Sequence, residues 1–491
     1  MHAPRIRPAL AAFVVLVSLA APLAAQEPTI NERIARIEQQ LQQLTELAAN
    51  LNKELADLKQ QLAAGKTTDP APAGPLLWSM DMKSDTKGSG AIADLDGDGK
   101  LELVFGSYFN EQRLFCVDAA TGKLRWTHTS DGGPLDASVA IADLDGDGKL
   151  EVLAADSASG RLYCLAHDGK LKFTIKLPSG TDSPAAIADL DGDGVKEIIA
   201  GSMWQRDGIG AVTCYRADTQ AKVWEVRIKG CVQSEPCLVD LDGDKVLDVI
   251  VTSWRGDRGV HAINGKTGAS IWTYTTPGDV VVMGMYHGVA LAPGSGPGGE
   301  LTILVGTCNG DIIALTPAGQ VRWTKHVDDY LFAPITVADI DDDGKPEMFV
   351  GGRVLRCLAV EDGTERWMHP MDRALERGVA ITDVDGDGKP DVLFADGRKV
   401  RALDAATGKR VFEYNAALHA GRPHEEISSA PIVADMDGDG LREAFFVIGA
   451  GTSQDGGKGN YGRAFVLRLK GKGPDWLTFR GNLRRDGSAG R

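Results

Sequence analysis

Asp143-Leu144-Asp145-Gly146-Asp147-Gly148-Lys149-Leu150-Glu151 sets acids at the first, third, fifth and ninth positions of a nine-residue stretch. Versions of the same pattern begin at Asp94, Asp189, Asp240, Asp339, Asp383 and Asp435. Asp and Gly both suit turns, but a turn does not call for acids at all four of these positions. Packed into one tight loop, the carboxylates repel one another unless a hard, oxygen-seeking cation lies between them, and calcium meets that description. The expectation is therefore a set of up to seven Ca2+ sites.

The ninth-position acid is followed by strand-like runs such as Val152-Leu153-Ala154 and Ile198-Ile199-Ala200, so these are loops between β-strands and not the helix-flanked twelve-residue loops of EF-hands. Around each loop the parts recur in one order. A short apolar strand enters it (Ser138 to Ala142), a second leaves it (Val152 to Ala155), a third ends at a Gly turn (Leu162 to Ala166), and a fourth carries an aromatic, as in Leu124-Arg125-Trp126-Thr127. Four short strands per repeat describe a propeller blade. The fourth strands centre on Trp78, Trp126, Phe173, Trp224, Trp272, Trp323, Trp367 and Phe412, which predicts an all-β, eight-bladed β-propeller. The missing eighth loop falls in the double-length gap between Asp240 and Asp339, where His287-Gly288-Val289-Ala290-Leu291-Ala292 reads as a first strand whose loop, ending at Glu300, has lost its metal ligands. Trp78 precedes every loop, and the last unit lacks a fourth strand, so Leu77-Trp78-Ser79 is expected to complete the last blade and close the ring.

Outside the repeats, residues 1–25 read as a secretory signal: basic residues, an apolar run from Ala9 to Ala21, and small residues before Gln26. Residues 29–64 hold a heptad seam, with Ile34, Leu41, Ala48, Leu55 and Leu62 at one core position and Ile30, Ile37, Leu44, Leu51 and Leu58 at the other. This predicts an α-helical coiled coil and a homo-oligomer. Residues 65–75 form a Pro/Ala/Gly linker, 76–474 the propeller, and 475–491 a C-terminal tail. The expected location is extracytoplasmic, with no transmembrane segment once the signal is cleaved. The formal charge of −15 falls to about −1 if seven divalent ions bind, and no basic face argues for nucleic acid. Cys116, Cys164, Cys214 and Cys357 share a register in which other repeats place Ala262, Ala314 and Ala402, so they are expected to be buried free thiols.

Loop, following strand and spacing together resemble the FG-GAP/VCBS class of calcium-binding propeller repeats, over residues 76 to about 470. The resemblance implies that the side chains at positions one, three, five and nine, with the main-chain carbonyl at seven, hold each ion. Carried over, the sites are Asp94, Asp96, Asp98, Lys100 and Glu102; Asp143, Asp145, Asp147, Lys149 and Glu151; Asp189, Asp191, Asp193, Val195 and Glu197; Asp240, Asp242, Asp244, Val246 and Asp248. The last three blades supply Asp339, Asp341, Asp343, Lys345 and Glu347; Asp383, Asp385, Asp387, Lys389 and Asp391; and Asp435, Asp437, Asp439, Leu441 and Glu443. Lys245 stands where most copies have Gly, so that loop is expected to bind most weakly. Asp118 to Trp126 and the tail segment Trp476 to Asn482 also resemble the tryptophan motif of quinoprotein-like propellers, which implies blade-to-blade packing and not a bound quinone.

Function is expected on the face opposite the acidic loops. Tyr108, Phe109, Trp204, Trp254 and Tyr461 fall on that side, with His287, Tyr330, Arg377, His424, Glu425 and Glu426 nearer the pore and Gly449 to Gly462 as a candidate flap. No catalytic residue is assigned. The leading expectation is a non-enzymatic binding, adhesion or scaffolding protein with a protein or glycan ligand. The alternatives are a calcium-dependent polysaccharide lyase using His287 or His424 with Arg377, and a quinoprotein-like dehydrogenase, whose adjacent cysteines are absent here. Arg255-Gly256-Asp257 is read as a coincidental integrin tripeptide.

Overall fold

A computed structural model describes residues 74–488, apart from 136, 204, 206, 278–283, 418–424 and 483. The signal, the coiled-coil helix and nearly all of the linker lie outside the described residues, as do Trp204 and His424. Among the described residues no helix is long and apolar enough to cross a membrane.

Eight antiparallel sheets follow one another along the chain. In blade 1 the strands are Ala91–Ala93, Glu102–Gly106, Arg113–Asp118 and Leu124–Thr129, and blades 2 to 7 repeat this order. Blade 8 closes as the sequence predicts: Leu76–Met82 pairs antiparallel with Tyr461–Arg468, so the first strand of the domain becomes the outer strand of the last sheet. The stripped repeat is also a full blade, with Ala290–Ala292 as its first strand. Second and third strands are buried almost throughout, whereas fourth strands such as Leu124–Thr129 alternate exposed and half-buried residues. That is the pattern of a sheet whose middle faces both neighbouring blades and whose outer edge faces water.

The outer strands are also what join the blades. The Trp78 indole N–H donates to Ala119 O of blade 1 at 2.7 Å, and Trp126, Trp224, Trp272, Trp323 and Trp367 donate likewise to carbonyls of the blade that follows each. Each ring lies over the Gly turn of that next blade. A Cβ on Gly122, whose φ is +69°, would sit 2.6 Å from the Trp78 ring, so both the backbone and the space demand glycine there. Blades 2 and 7 carry Phe173 and Phe412 at this position and keep the apolar contact without the hydrogen bond. Beneath the aromatic, across the sheet, lies the small residue of the recurring Cys/Ala register: Cys116 pairs with Trp126 and Ala262 with Trp272. Cys116, Cys164, Cys214 and Cys357 are free and buried as expected, and burial pushes the Cys164 and Cys357 thiols up to about 12.

The tail 475–488 is not an appendage. It runs into the central channel and pairs with the inner edges of the first strands. Ile92, Leu238, Leu291, Val337 and Val433, each the middle residue of its three-residue strand, donate their N–H groups to the carbonyls of Leu477, Arg484, Asp486, Gly487 and Trp476 at 2.8–3.0 Å. Arg485, fully buried, reaches the carbonyls of Val139 at 3.2 Å and Ala185 at 3.5 Å. Inner edges that would otherwise leave backbone donors unpaired in the channel are thereby satisfied.

Two outcomes check this account. Trp78→Ala should cost about 3 kcal/mol, the lower end for a buried Trp, measured by denaturant unfolding. Truncation after Gly473 removes the five edge hydrogen bonds donated by the first strands and the one Trp476 donates back to Val433, worth about 1 kcal/mol each, and should lower the melting temperature by on the order of 5–10 °C.

Candidate functional site

Each acidic loop is organised by its own carboxylates. In blade 1 the Asp94 side chain accepts from the N–H groups of Gly97, Asp98 and Gly99 at 2.8–3.0 Å, and Asp98 accepts from Lys100 N–H. The ninth acid opens the second strand and is buried in all seven copies: Glu102, Glu151, Glu197, Asp248, Glu347, Asp391 and Glu443. It reaches back to accept from the second residue of the loop, as Glu102 does from Leu95 at 2.9 Å and Glu443 from Met436 at 2.8 Å. Positive φ values at Gly97 and Gly99 make the turn.

The result is a tight convergence of oxygens. Carboxylate oxygens of Asp94, Asp96 and Glu102 lie within 4.8 Å of one another, as do those of Asp143, Asp145 and Glu151, of Asp189, Asp191 and Glu197, and of Asp339, Asp341 and Glu347. In blade 4 the group is Asp240, Asp242 and Asp244, without Asp248, and Lys245 does adopt the left-handed backbone, with φ of 72°. Buried oxygens of Asp96, Asp191 and Glu443 have no hydrogen-bond partner. Burial, with added repulsion from neighbouring acids, pushes Asp248 up to about 6 and Glu347, Asp391 and Glu443 up to about 7. An oxygen-only donor set, partly orphaned and reluctant to carry charge unaided, fits a hard divalent cation.

On the opposite face the channel mouth gathers groups from several blades. Glu235, buried, meets the Arg480 guanidinium of the tail at 2.6 Å and His287 Nδ1 at 3.3 Å. Burial opposes ionisation of Glu235, but the charges of His287 and Arg480 outweigh it and hold its carboxyl down at about 2. His287 is itself buried, with Tyr286, Phe332 and Phe479 around its ring. Asp182 accepts from Gln233 at 2.5 Å and Tyr286 at 3.4 Å; burial pushes it up, against the charge of Arg377. The space left among these residues is only about 10 Å³. Tyr286, Phe332, Asp182, Glu235 and Arg480 were not singled out from sequence, because nothing local marks residues that meet only on the propeller axis.

Beside the mouth, over blades 7 and 8, the surface opens. A cavity of about 620 Å³ is lined by Asp85, Lys87, Arg373, Glu426 and residues 449–460, and another of about 470 Å³ by Asp372, Arg398, Lys399, Asn415 and Glu425. Arg373 and Glu426 pair with each other and line both. Glu425 and Glu426, expected nearer the pore, line these cavities beside the mouth instead. The expected flap is pinned: Asn460 donates to Phe109 O at 2.8 Å and accepts from Thr452 N–H at 3.0 Å. Tyr108 packs edge-on against Phe109 in the same region. Trp254 belongs instead to the aromatic group with Tyr286, and Tyr330 stacks on Phe332. Trp254–Gly256 adds a fifth strand to blade 3, and Asp257 accepts from Ser253 and Gly259, so Arg255-Gly256-Asp257 is an inter-blade clip.

Comparison with known proteins agrees with this architecture. The family model of the FG-GAP-like repeat matches residues 94–154, 143–200 and 383–446, and the model described as outer membrane protein assembly factor BamB matches 194–330. No curated protein matches. Among solved structures, a europium-containing methanol dehydrogenase superposes with a TM-score of 0.60 at 13% identity, covering 80% of this chain and 93% of its own. A quinohemoprotein alcohol dehydrogenase from Pseudomonas putida gives 0.55 at 14%, covering 81% and 76%. BamB from Moraxella catarrhalis gives 0.50 at 15%, covering 80% and 97%. At these identities the likeness is one of fold. With its repeated acidic loops and eight closed blades, the chain is a β-propeller that carries FG-GAP-like repeats.

Proposed function

We propose that this protein is an exported, calcium-stabilised propeller that binds a ligand without transforming it, in the groove over blades 7 and 8. The observation that carries the reading is the contrast between axis and rim. The axis is filled by the chain's own tail, with about 10 Å³ left at the mouth, whereas pockets for small molecules or cofactors run from roughly 300 Å³ upwards. His287, the base that a lyase reading would use, is buried against Glu235 and Phe479. The groove by contrast is open and balanced, with Lys87, Arg373, Arg398 and Lys399 set among Asp85, Asp372, Glu425 and Glu426. Such a lining donates and accepts hydrogen bonds in similar measure, which suits a neutral, hydroxyl-rich glycan better than a strongly charged partner.

Calcium has a structural role in this reading. Held at ten times its dissociation constant, one ion stabilises the folded state by about 1.4 kcal/mol, and several together rival the stability of a whole domain. An extracytoplasmic location fits this role, since sites of modest affinity fill where the free ion is plentiful. The export signal, the helical stalk at residues 29–64 and the homo-oligomer it would form belong to the same proposal.

Dialysis against a strong chelator should lower the melting temperature by at least about 10 °C, restored by calcium; an unchanged melt removes the structural role. On a glycan array, binding should be lost in Arg373→Ala and Glu426→Ala with the melt unchanged, since Arg373 is exposed. Release of unsaturated uronate from a bound polysaccharide would overturn the non-enzymatic reading.

A further inference from the structure

The residue that precedes the fourth-strand aromatic divides the acidic loops into two kinds. In blade 1 it is Arg125, which pairs with both Glu102 and Asp96, the latter at 2.6 Å. In blade 2 it is Lys172, whose Nζ lies 2.5 Å from Asp145 and 2.9 Å from Glu151. In blade 6 it is Arg366, which pairs with Glu347 and lies 3.4 Å from Asp341. In each case one cationic side chain bridges the third and ninth acids, the pair a metal ion would also join. The corresponding residues of blades 3, 4, 7 and 8 are Val223, Ile271, Val411 and Leu77, which carry no charge.

In blade 5 the loop has lost every aspartate, and Thr302 opens the second strand where the other blades place the ninth acid; Arg322 is kept and pairs at 2.6 Å with Glu300, two residues earlier and exposed. In blades 3, 7 and 8 no basic side chain among the described contacts joins two acids of the same loop. Lys266 lies 3.3 Å from Asp191, Arg216 2.7 Å from Asp193, Lys389 3.7 Å from Asp387 and Arg468 4.0 Å from Asp437. Of the three orphaned oxygens, that of Asp96 belongs to a carboxylate whose other oxygen is already paired with Arg125, while those of Asp191 and Glu443 lie in blades with no bridging cation.

We propose that the seven loops are neutralised in two ways: blades 3, 4, 7 and 8 by a bound divalent cation, and blades 1, 2 and 6 by Arg125, Lys172 and Arg366 in its place. The inference rests on the calcium reading of the loops and refines it. A guanidinium or ammonium held between two of the ligands repels an incoming divalent ion and occupies its oxygens. The internally neutralised sites therefore bind calcium at least tenfold more weakly. Lys245 places blade 4 at the weak end of the tight class.

Equilibrium calcium titration of the full chain, read by calorimetry, tests this. The expected result is a tight phase of four ions followed by a weaker phase. Lys172→Leu and Arg366→Leu should each add one ion to the tight phase. Val223→Lys, a change at an exposed position of blade 3, should subtract one. Seven equivalent ions, or variants that leave the tight count where it was, overturn the division into two classes while leaving calcium in place. No bound ion at all overturns both this inference and the calcium reading beneath it.

Discussion

Repulsion among carboxylates that the fold forces together is the constraint on which the rest of this molecule depends. Each acidic loop must turn sharply between a first strand on the axis and a second strand in the middle of the blade, and it does so by folding backbone N–H groups onto its own aspartates. That arrangement buries the ninth acid in every copy. A buried carboxylate beside two or three others is costly unless charge is supplied, and in the proposed reading it comes from outside as an ion or from within as a basic side chain. The second and third strands, the contacts between blades and the positions of the opposite loops all follow from that turn.

Most of the architecture was legible because it repeats. Eight fourth-strand aromatics gave the blade number, including the blade whose loop had lost its aspartates, and the order of parts gave the closure by residues 76–82. The Cys/Ala register was legible for the same reason: only a small side chain fits beneath the aromatic across the sheet. What repetition does not encode stayed hidden. The tail appears once, and its bonds to five first strands connect residues more than a hundred positions apart in most cases. Its resemblance to a packing motif described its composition but not its place on the axis.

The candidate sites divide along the same line. The loop acids are local and were read residue by residue, whereas the channel mouth joins Asp182, Glu235, His287, Arg377 and Arg480 from four different blades and the tail. His287 illustrates the difficulty. In sequence it is a polar residue next to a strand, open to a catalytic reading; in three dimensions it is one member of a buried, internally paired group that fastens the tail to the ring. The groove over blades 7 and 8 was not anticipated: Glu425 and Glu426 were expected nearer the pore and the 449–462 loop as a flap, and Arg373, which joins its two halves, carried no local mark.

The central claim, that ions between the acids hold these turns, is tested most directly by anomalous diffraction from crystals grown with calcium. The account predicts peaks enclosed by the first, third, fifth and ninth side chains of the loops, strongest in blades 3, 7 and 8. Loops that keep this conformation with no anomalous peak in any of them would contradict it.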